Sequence, residues 1–298
     1  MARQFSPAAL KKAPAKQLFG HTRTPAKLPP RVYGFYTRGC LAGAVEMPAD
    51  GSAWQVMRPK RNRAWGTPQL IELLKRLAIE AKAQDGWNGL LIGDIAQPRG
   101  GPMLSGHHSH QVGLDADVWL TPMPNRRLSV AERNSISAKL VVLDRKRINP
   151  RRWTAAHARL LRRAASYPQV QRIFVHPPIK KALCDWSRGQ SGRGAWLRKI
   201  RPYYGHNYHF HIRIRCPKGM SGCKSQNEPR PADGTGCGKE LAYWYSDKPW
   251  RKPKRPKKGP RFVNGIPLPR PKPPKPKPPR VRTIASLPAA CRAVLLAK

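Results

Sequence analysis

Histidine changes charge near neutral pH and its ring nitrogens bind divalent metals, so its distribution is where chemistry would first show. The chain has nine histidines, and six of them fall in two short segments, three in 107–110 and three in 206–211. The first segment, SGHHSHQVGLDADVWL (105–120), places His110 and Asp117 seven positions apart. Fully extended, seven residues would span about 23 Å, too far for two ligands of one ion. The chain must therefore bend between them, and Gly113 supplies a permissive residue. Beyond it, Asp115, Asp117 and Trp119 alternate with Leu114, Ala116, Val118 and Leu120, the pattern of a strand with one polar and one apolar face. Asp117 sits on the polar face near the strand start, and Asp115 points the same way, placed to orient a ligand.

The second segment, NYHFHIRIRC (207–216), alternates as cleanly. Tyr208, Phe210, Ile212 and Ile214 share one face, and His209, His211, Arg213 and Arg215 the other. His209 and His211 are then neighbours about 6.6 Å apart on one strand face. His110, Asp117 and His211 would give a three-ligand site with an open fourth position, the catalytic rather than the structural type of zinc site. Water is a poor nucleophile at neutral pH, and zinc lowers its pKa from about 15.7 to about 7. His209 would shuttle the proton or stabilise the developing oxyanion. His107 and His206 could bind metal, hold substrate or orient a ligand. An isolated histidine is usually structural, and an H-x-H pair can simply face solvent. The combination of H-x6-D with H-x-H is what points to a metal.

Regular elements must carry these residues. Thr67-Pro68 reads as an N-cap followed by proline at the first helical position. Leu70, Leu73, Leu74, Leu77, Ala78 and Ala81 then repeat at helical spacing, so 68–84 is an amphipathic helix that Gly86 can end. Residues 89–95 read as a buried strand, 154–166 as a helix, 170–175 as a strand and 179–186 as a helix. Helices and strands mix without a regular βαβ repeat, so the expected class is α+β: a small antiparallel sheet carrying the zinc site, flanked by helices.

Composition sets the frame. Of 298 residues, 58 are Lys or Arg and 15 are Asp or Glu, a formal charge of +43. Apolar residues make up 40%, enough for a core, so wholesale disorder is excluded. No stretch approaches the roughly 20 apolar residues that cross a bilayer, and no transmembrane segment is expected. The expected organisation is a basic N-terminal arm (1–31), a folded domain carrying the histidine segments and their zinc site (32–247), a Lys/Pro-rich linker (248–282) and a C-terminal docking segment (283–298) carrying Cys291. Residues 248–282 hold 14 Lys or Arg, 12 Pro and no acid, the composition of a disordered, extended tether. Such charge suits a polyanionic partner. The chain lacks an RNP-like aromatic pattern, zinc-finger spacing and a helix-turn-helix cue, so no nucleic acid is expected; envelope glycopolymers such as peptidoglycan are equally anionic.

The six cysteines, Cys40, Cys184, Cys216, Cys223, Cys237 and Cys291, are even in number and contain no C-x-x-C. Three disulfides formed in an oxidising compartment are expected, with 15 pairings open on spacing alone, against the alternative of six unrelated buried thiols. Residues 1–31 contain no apolar stretch of the secretory kind, so either the chain starts inside or after an export signal, which is the expectation, or it is cytoplasmic and the disulfides do not form.

GHHSHQVGLDADVWL and HNYHFHIRIRCP resemble the two signature segments of the penicillin-insensitive murein endopeptidases, zinc peptidases related to lysostaphin and to D-Ala-D-Ala peptidases. RGCLAGA (38–44), WQVMRPKR (54–61), LLIGDIAQPRGG (90–101) and RIFVHPPIKKALC (172–184) extend the likeness, which covers roughly residues 35–245. The resemblance implies one zinc per chain held by His110, Asp117 and His211, with His107 a further ligand or near neighbour. It puts His209 in the catalytic position and His206 on the lining of the site. It also implies the disulfides Cys40–Cys291, Cys184–Cys237 and Cys216–Cys223. Some members hold a second metal with an Asp and a His three residues later; here Asp144 is followed by Arg147 at that spacing, and no second site is expected.

The implied reaction is hydrolysis of the D-alanyl–meso-diaminopimelyl amide in peptidoglycan cross-links, in the periplasm. It would be indifferent to penicillin because β-lactams acylate a serine, and neither histidine segment contains an S-x-x-K. The alternatives are a zinc D,D-carboxypeptidase on the same site and a non-enzymatic basic binder of anionic polymer. Deleting the Lys/Pro-rich stretch is expected to weaken retention on intact sacculi and to leave cleavage of small soluble muropeptides nearly unchanged; a large rate loss on the small substrate would contradict the tether.

Overall fold

Local sequence signals start most of the elements. In the computed structural model, which describes residue 10, residues 12–251 and 282–298 and the backbone of 262–263 and 266–267, the chain opens with a short helix α1 (Ala15–Gly20). A hairpin, β1 (Arg31–Phe35) and β2 (Arg38–Ala42), is followed by β3 (Val45–Glu46), β4 (Asp50–Gly51), β5 (Trp54–Val56) and β6 (Trp65–Gly66). Helix α2 (Pro68–Gln84) begins at its expected cap: Leu70 N–H donates to Thr67 Oγ1 at 3.4 Å. Strands β7 (Leu90–Ile92) and β8 (Asp115–Trp119) enclose the first histidine segment. Next come α3 (Val130–Ser135), α4 (Ala155–Ser166), β9 (Val170–Val175), α5 (Pro177–Trp186) and α6 (Arg193–Leu197). β10 (Ile200–Pro202), β11 (His209–Ile214), α7 (Lys239–Tyr245), the short paired strands β12 (Phe262–Val263) and β13 (Ile266–Pro267), and α8 (Ala290–Leu296) follow.

The main sheet corrects one expectation. It is not small and antiparallel but seven-stranded and mixed, in the order β10-β9-β11-β8-β7-β5-β4. β5 pairs with β7 in parallel, and β10 pairs with β9 in parallel. A parallel pair needs a long crossover. α2 lies in the connection from β5 to β7, and α5 and α6 lie in the connection from β9 to β10. The antiparallel part is the centre, where β11 pairs with both β8 and β9. The sheet is thus α/β-like at both flanks, and the histidine strands sit between those flanks.

α2 turns Leu70, Leu74, Leu77, Ala78 and Ala81 into the main core, and α4 adds Leu160, Leu161, Ala164 and Ala165. Both strands of the site are buried along their whole length, so the polar face expected on each is turned into the molecule rather than to solvent.

A second apolar cluster joins the two ends of the chain. Leu18 and Phe19 of α1 pack with Ala42 of β2 and with Leu287, Val294 and Leu295 around α8. Within the segment expected as a basic arm (1–31), α1 is therefore an anchored helix. Cys40 is bridged to Cys291 through this cluster, and Cys184–Cys237 and Cys216–Cys223 complete the pairs that the resemblance implied. The buried Arg99 ties the ends further: its Nη1 donates to the Val294 and Leu295 carbonyls at 3.1 and 2.6 Å, and its Nε to Thr24 O at 3.1 Å. Of the Lys/Pro-rich stretch, residues 252–281 lie outside the described residues apart from the four backbone positions named above.

The Cys40–Cys291 bridge spans 251 residues of sequence, so its loss frees a very long loop in the unfolded chain. The Cys40→Ser/Cys291→Ser double variant should lose about 2–5 kcal/mol in urea unfolding. A loss below about 1 kcal/mol would show that apolar contacts alone hold the terminal unit.

Candidate metal centre

Antiparallel pairing of β8 with β11 sets His211 opposite Asp117, Arg213 opposite Asp115 and His209 opposite Trp119. Side chains opposite one another on a sheet share a face. Asp115, Asp117, His211 and Arg213 therefore meet on one buried surface. The seven-residue problem between His110 and Asp117 is solved by two left-handed residues rather than one. His110 itself has φ +63° and Gly113 φ +67°. A Cβ on Gly113 would meet Leu41 Cδ2 at 2.4 Å, so the bend excludes any larger residue. The Gly113 carbonyl accepts Thr67 N–H at 3.0 Å and Thr67 Oγ1–H at 3.2 Å. The cap of α2 thus also fixes the turn that delivers His110.

Two hydrogen bonds determine which nitrogens face inward. His110 Nδ1–H donates to Ile95 O at 2.6 Å, leaving Nε2 bare. His211 Nε2–H donates to Asp115 Oδ1 at 2.9 Å, leaving Nδ1 bare. Those two bare nitrogens lie 3.1 Å apart. Each is also 3.3 Å from Asp117 Oδ1, and His209 Nε2 is 3.6 Å from the same oxygen. Asp117 Oδ1 is buried and makes no well-aligned hydrogen bond. Acceptors collected at one buried point need a cation, and a mixed nitrogen and carboxylate set suits zinc. His107, His110 and Asp117 also offer ligand atoms within 4.8 Å of one another. The residues present fit a divalent ion.

Asp115 is the orienting residue that the alternation suggested. Its Oδ1 also accepts Arg213 Nε–H at 2.6 Å, and its Oδ2 accepts His110 N–H at 3.2 Å. Burial works against its ionisation, but the charges of Arg213 and His211 outweigh that and hold the carboxyl well below its usual range. Burial likewise opposes a charged Asp117, and the surrounding imidazoles win. For His211 burial lowers the pKa, yet Asp115 and Asp117 together raise it above the ordinary histidine value. The site draws positive charge to this spot whatever its source.

The outer residues fall into place around this centre. His107 Nε2–H donates to Asp94 Oδ2 at 3.0 Å and lies 3.5 Å from Asp117 Oδ2. Asp94 was not singled out from the sequence. It lies two residues beyond β7, and its carbonyl accepts Asp117 N–H at 2.9 Å, which aligns it beside the site. Burial would raise its pKa, but His107, Arg61 and Arg63 bring it down to about 2. The signal available was the single acid in the apolar run 89–95. His206, with φ +55°, donates from Nδ1 to Tyr204 O at 2.5 Å, and its ring centroid is 5.0 Å from that of His209. Burial, then the charges of His211 and His209, push His206 down to about 3. Burial also lowers His209, whose Nδ1 has no hydrogen-bond partner. His107, His110, Asp117, His206, His209 and His211 therefore converge. His108 is exposed and lies outside the cluster, on the lining of the cavity that His206 and His211 also border. Asp144 is bonded to Arg147 at 2.7 Å, the residue that replaces histidine at that spacing.

The cluster lies between two cavities. One of about 330 Å³ is lined by His107, Asp117, Trp119, Tyr208 and Arg58, and one of about 420 Å³ by His206, His211, Phe174 and Arg172.

Comparison with known proteins gives a consistent picture. A family model described as penicillin-insensitive murein endopeptidase matches residues 32–296. A Haemophilus influenzae protein of that name is 47% identical over 228 residues, covering 75% of this chain and 77% of its own length. A Salmonella heidelberg protein of the same name is 42% identical over 213 residues, covering 71% and 75%. One from Yersinia enterocolitica is 40% identical over 217 residues, covering 72% and 76%.

Partners of this kind behind metal ligands typically change affinity by about 10–100-fold when removed. Asp115→Asn should weaken zinc binding by about that factor in a competition titration with a chromophoric chelator. Unchanged affinity would show that His211 holds its orientation without Asp115.

Proposed function

The chain belongs to the penicillin-insensitive murein endopeptidase family, and on that premise we propose that it hydrolyses the D-alanyl–meso-diaminopimelyl amide of peptidoglycan cross-links, with one zinc ion held by His110, Asp117 and His211. The observation that carries this reading is the pair of bare imidazole nitrogens 3.1 Å apart, both 3.3 Å from a buried carboxylate oxygen that no hydrogen bond satisfies. The bound ion would supply a water of lowered pKa and polarise the scissile carbonyl.

The remaining work falls to the side chains. Asp115 keeps His211 in the tautomer that offers Nδ1. His209, its pKa depressed by burial, is neutral at pH 7 and has a free lone pair for the proton of the attacking water. Water adds to the carbonyl carbon, the C–N bond breaks, and the proton held by His209 passes to the leaving amine. His206, also neutral, packs against His209 and lines the leaving side. Asp94 holds His107 beside Asp117, at the edge of the three-ligand set. No step requires a serine nucleophile, in keeping with indifference to β-lactams.

Cavities on both sides of the cluster favour cleavage within a chain over trimming of an end, and so an endopeptidase over a D,D-carboxypeptidase. The three disulfides fit an oxidising compartment, which supports action in the periplasm. Among the described residues no helix is long and apolar enough to cross a membrane. A charge of +43 favours approach to a polymer bearing free carboxylates.

Elemental analysis should find about one zinc per chain. Chelation should stop release of monomers from cross-linked muropeptide dimers, and penicillin should not. His211→Ala should lose zinc and at least about 100-fold in rate, the scale of removing one strong transition-state stabiliser. Full zinc content and full activity in that variant would end the assignment.

A further inference from the structure

The sheet continues past the metal centre into β9 and β10, where the half-exposed side chains include Arg172, Phe174 and Arg201. His211, Phe174 and Arg201 form one cross-strand row, and Arg213 and Arg172 the next. Neighbouring strands lie about 4.8 Å apart, so the Arg201 backbone is about 10 Å from that of His211. The Phe174 ring meets the His211 ring edge-on at 5.4 Å, with the Arg172 and Arg213 guanidiniums 6.0 and 5.4 Å from its centre. Two guanidiniums therefore stand against one aromatic ring, and Arg201, opposite Phe174 on the next strand, is the third arginine of this region.

Two of the three are neutralised within the protein. Arg213 is bonded to Asp115 at 2.6 Å, and Arg201 is paired with Glu240. Arg172 has no carboxylate within ion-pair distance among the described residues. Its Nη2 donates to Asn227 O at 2.8 Å, but its buried Nε finds no acceptor. Nη1 of Arg201 is likewise buried and unpartnered. Two guanidinium N–H groups are thus left without acceptors on Arg172 and Arg201, residues that line the 420 Å³ cavity together with His211 and Glu240. A buried donor without an acceptor is costly, and arginine's planar fork matches a carboxylate.

We propose that Arg172 and Arg201 form a subsite for the free carboxylate carried on the carbon next to the scissile nitrogen. This rests on the endopeptidase reading. In a D-alanyl–diaminopimelyl cross-link the amine half is itself an α-amino acid, so such a carboxylate lies two bonds from the nitrogen that departs. The subsite also sets a direction. The leaving half lies over β9 and β10, and the acyl half lies toward Trp119 and Tyr208 in the opposite cavity. Amides whose amine half lacks the carboxylate would leave the guanidiniums unpaired, and such pairing is a strong source of discrimination.

Two soluble substrates with the same D-alanyl amide decide the matter, one with that carboxylate free and one with it as a carboxamide. Zinc-loaded wild type should prefer the free acid by on the order of 10²-fold in kcat/KM. Arg172→Gln and Arg201→Gln should lower kcat/KM for the free acid by a similar factor and hardly change the carboxamide, with zinc content kept. Arg172→Lys should recover part of the loss. Equal cleavage of both substrates by wild type overturns the subsite and leaves the peptidase reading standing, with no variant needed. An equal loss on both substrates in Arg172→Gln makes the arginine structural and also overturns it. If zinc-loaded wild type cleaves neither substrate, the endopeptidase reading falls and takes the subsite with it.

Discussion

One buried carboxylate oxygen organises this molecule. Asp117 Oδ1 is removed from water, carries charge and accepts no well-aligned hydrogen bond, while bare histidine nitrogens crowd it. A buried charge without a partner costs several kcal/mol, so such an arrangement persists only where its surroundings hold it in place and a positive charge completes it. The surroundings are two strands at the middle of a seven-stranded sheet, buried along both lengths. Electrostatic need and mechanical support meet at the same place, and the depressed carboxyl pKa values nearby express the same demand for a cation.

Rigidity comes from several directions. His110 and His206 adopt left-handed backbone conformations that non-glycine residues avoid, and such strain survives only where neighbours over-determine it. For His110 the constraints are the Ile95 carbonyl, the Asp115 carboxylate and, three residues on, a glycine held by the cap of α2. The loop before it is held as well. A Cβ on Gly101 would meet the Phe19 ring of α1 at 2.2 Å, and Gly101 N–H donates to Gln111 O at 2.8 Å. Contacts made by the ends of the chain therefore run through residues 99–101 to the histidine segment.

Local patterns were legible in the sequence. The Thr67-Pro68 start and the apolar repeat of α2 gave its limits, because cap and period act within one helix. Alternation placed His209, His211, Asp115 and Asp117 on strand faces, and the bend before Asp117 followed from chain length. Features that depend on distant pairing were not legible. The parallel flanks of the sheet need a crossover partner that no short window contains. Asp94 reaches the site only because β7 lies beside β8. The left-handed turn at His110 carries no glycine signature, and the burial of α1 depends on a helix more than 270 positions away. Arg172 resembled any basic surface residue until its neighbours Arg213 and Arg201 took up the nearby acids.

The clasp between the two ends bears on how the molecule comes into being. A chain emerges amino end first, so α1 and the β1–β2 hairpin are made long before residues 287–295 that cover them. Until those residues arrive and Cys291 is oxidised, Leu18, Phe19 and Cys40 lack their cover, and the Arg99 loop lacks the carbonyls that fix it. Maturation is thus written into topology: the segment that stiffens the histidine loop is synthesised about 270 residues after the helix it covers.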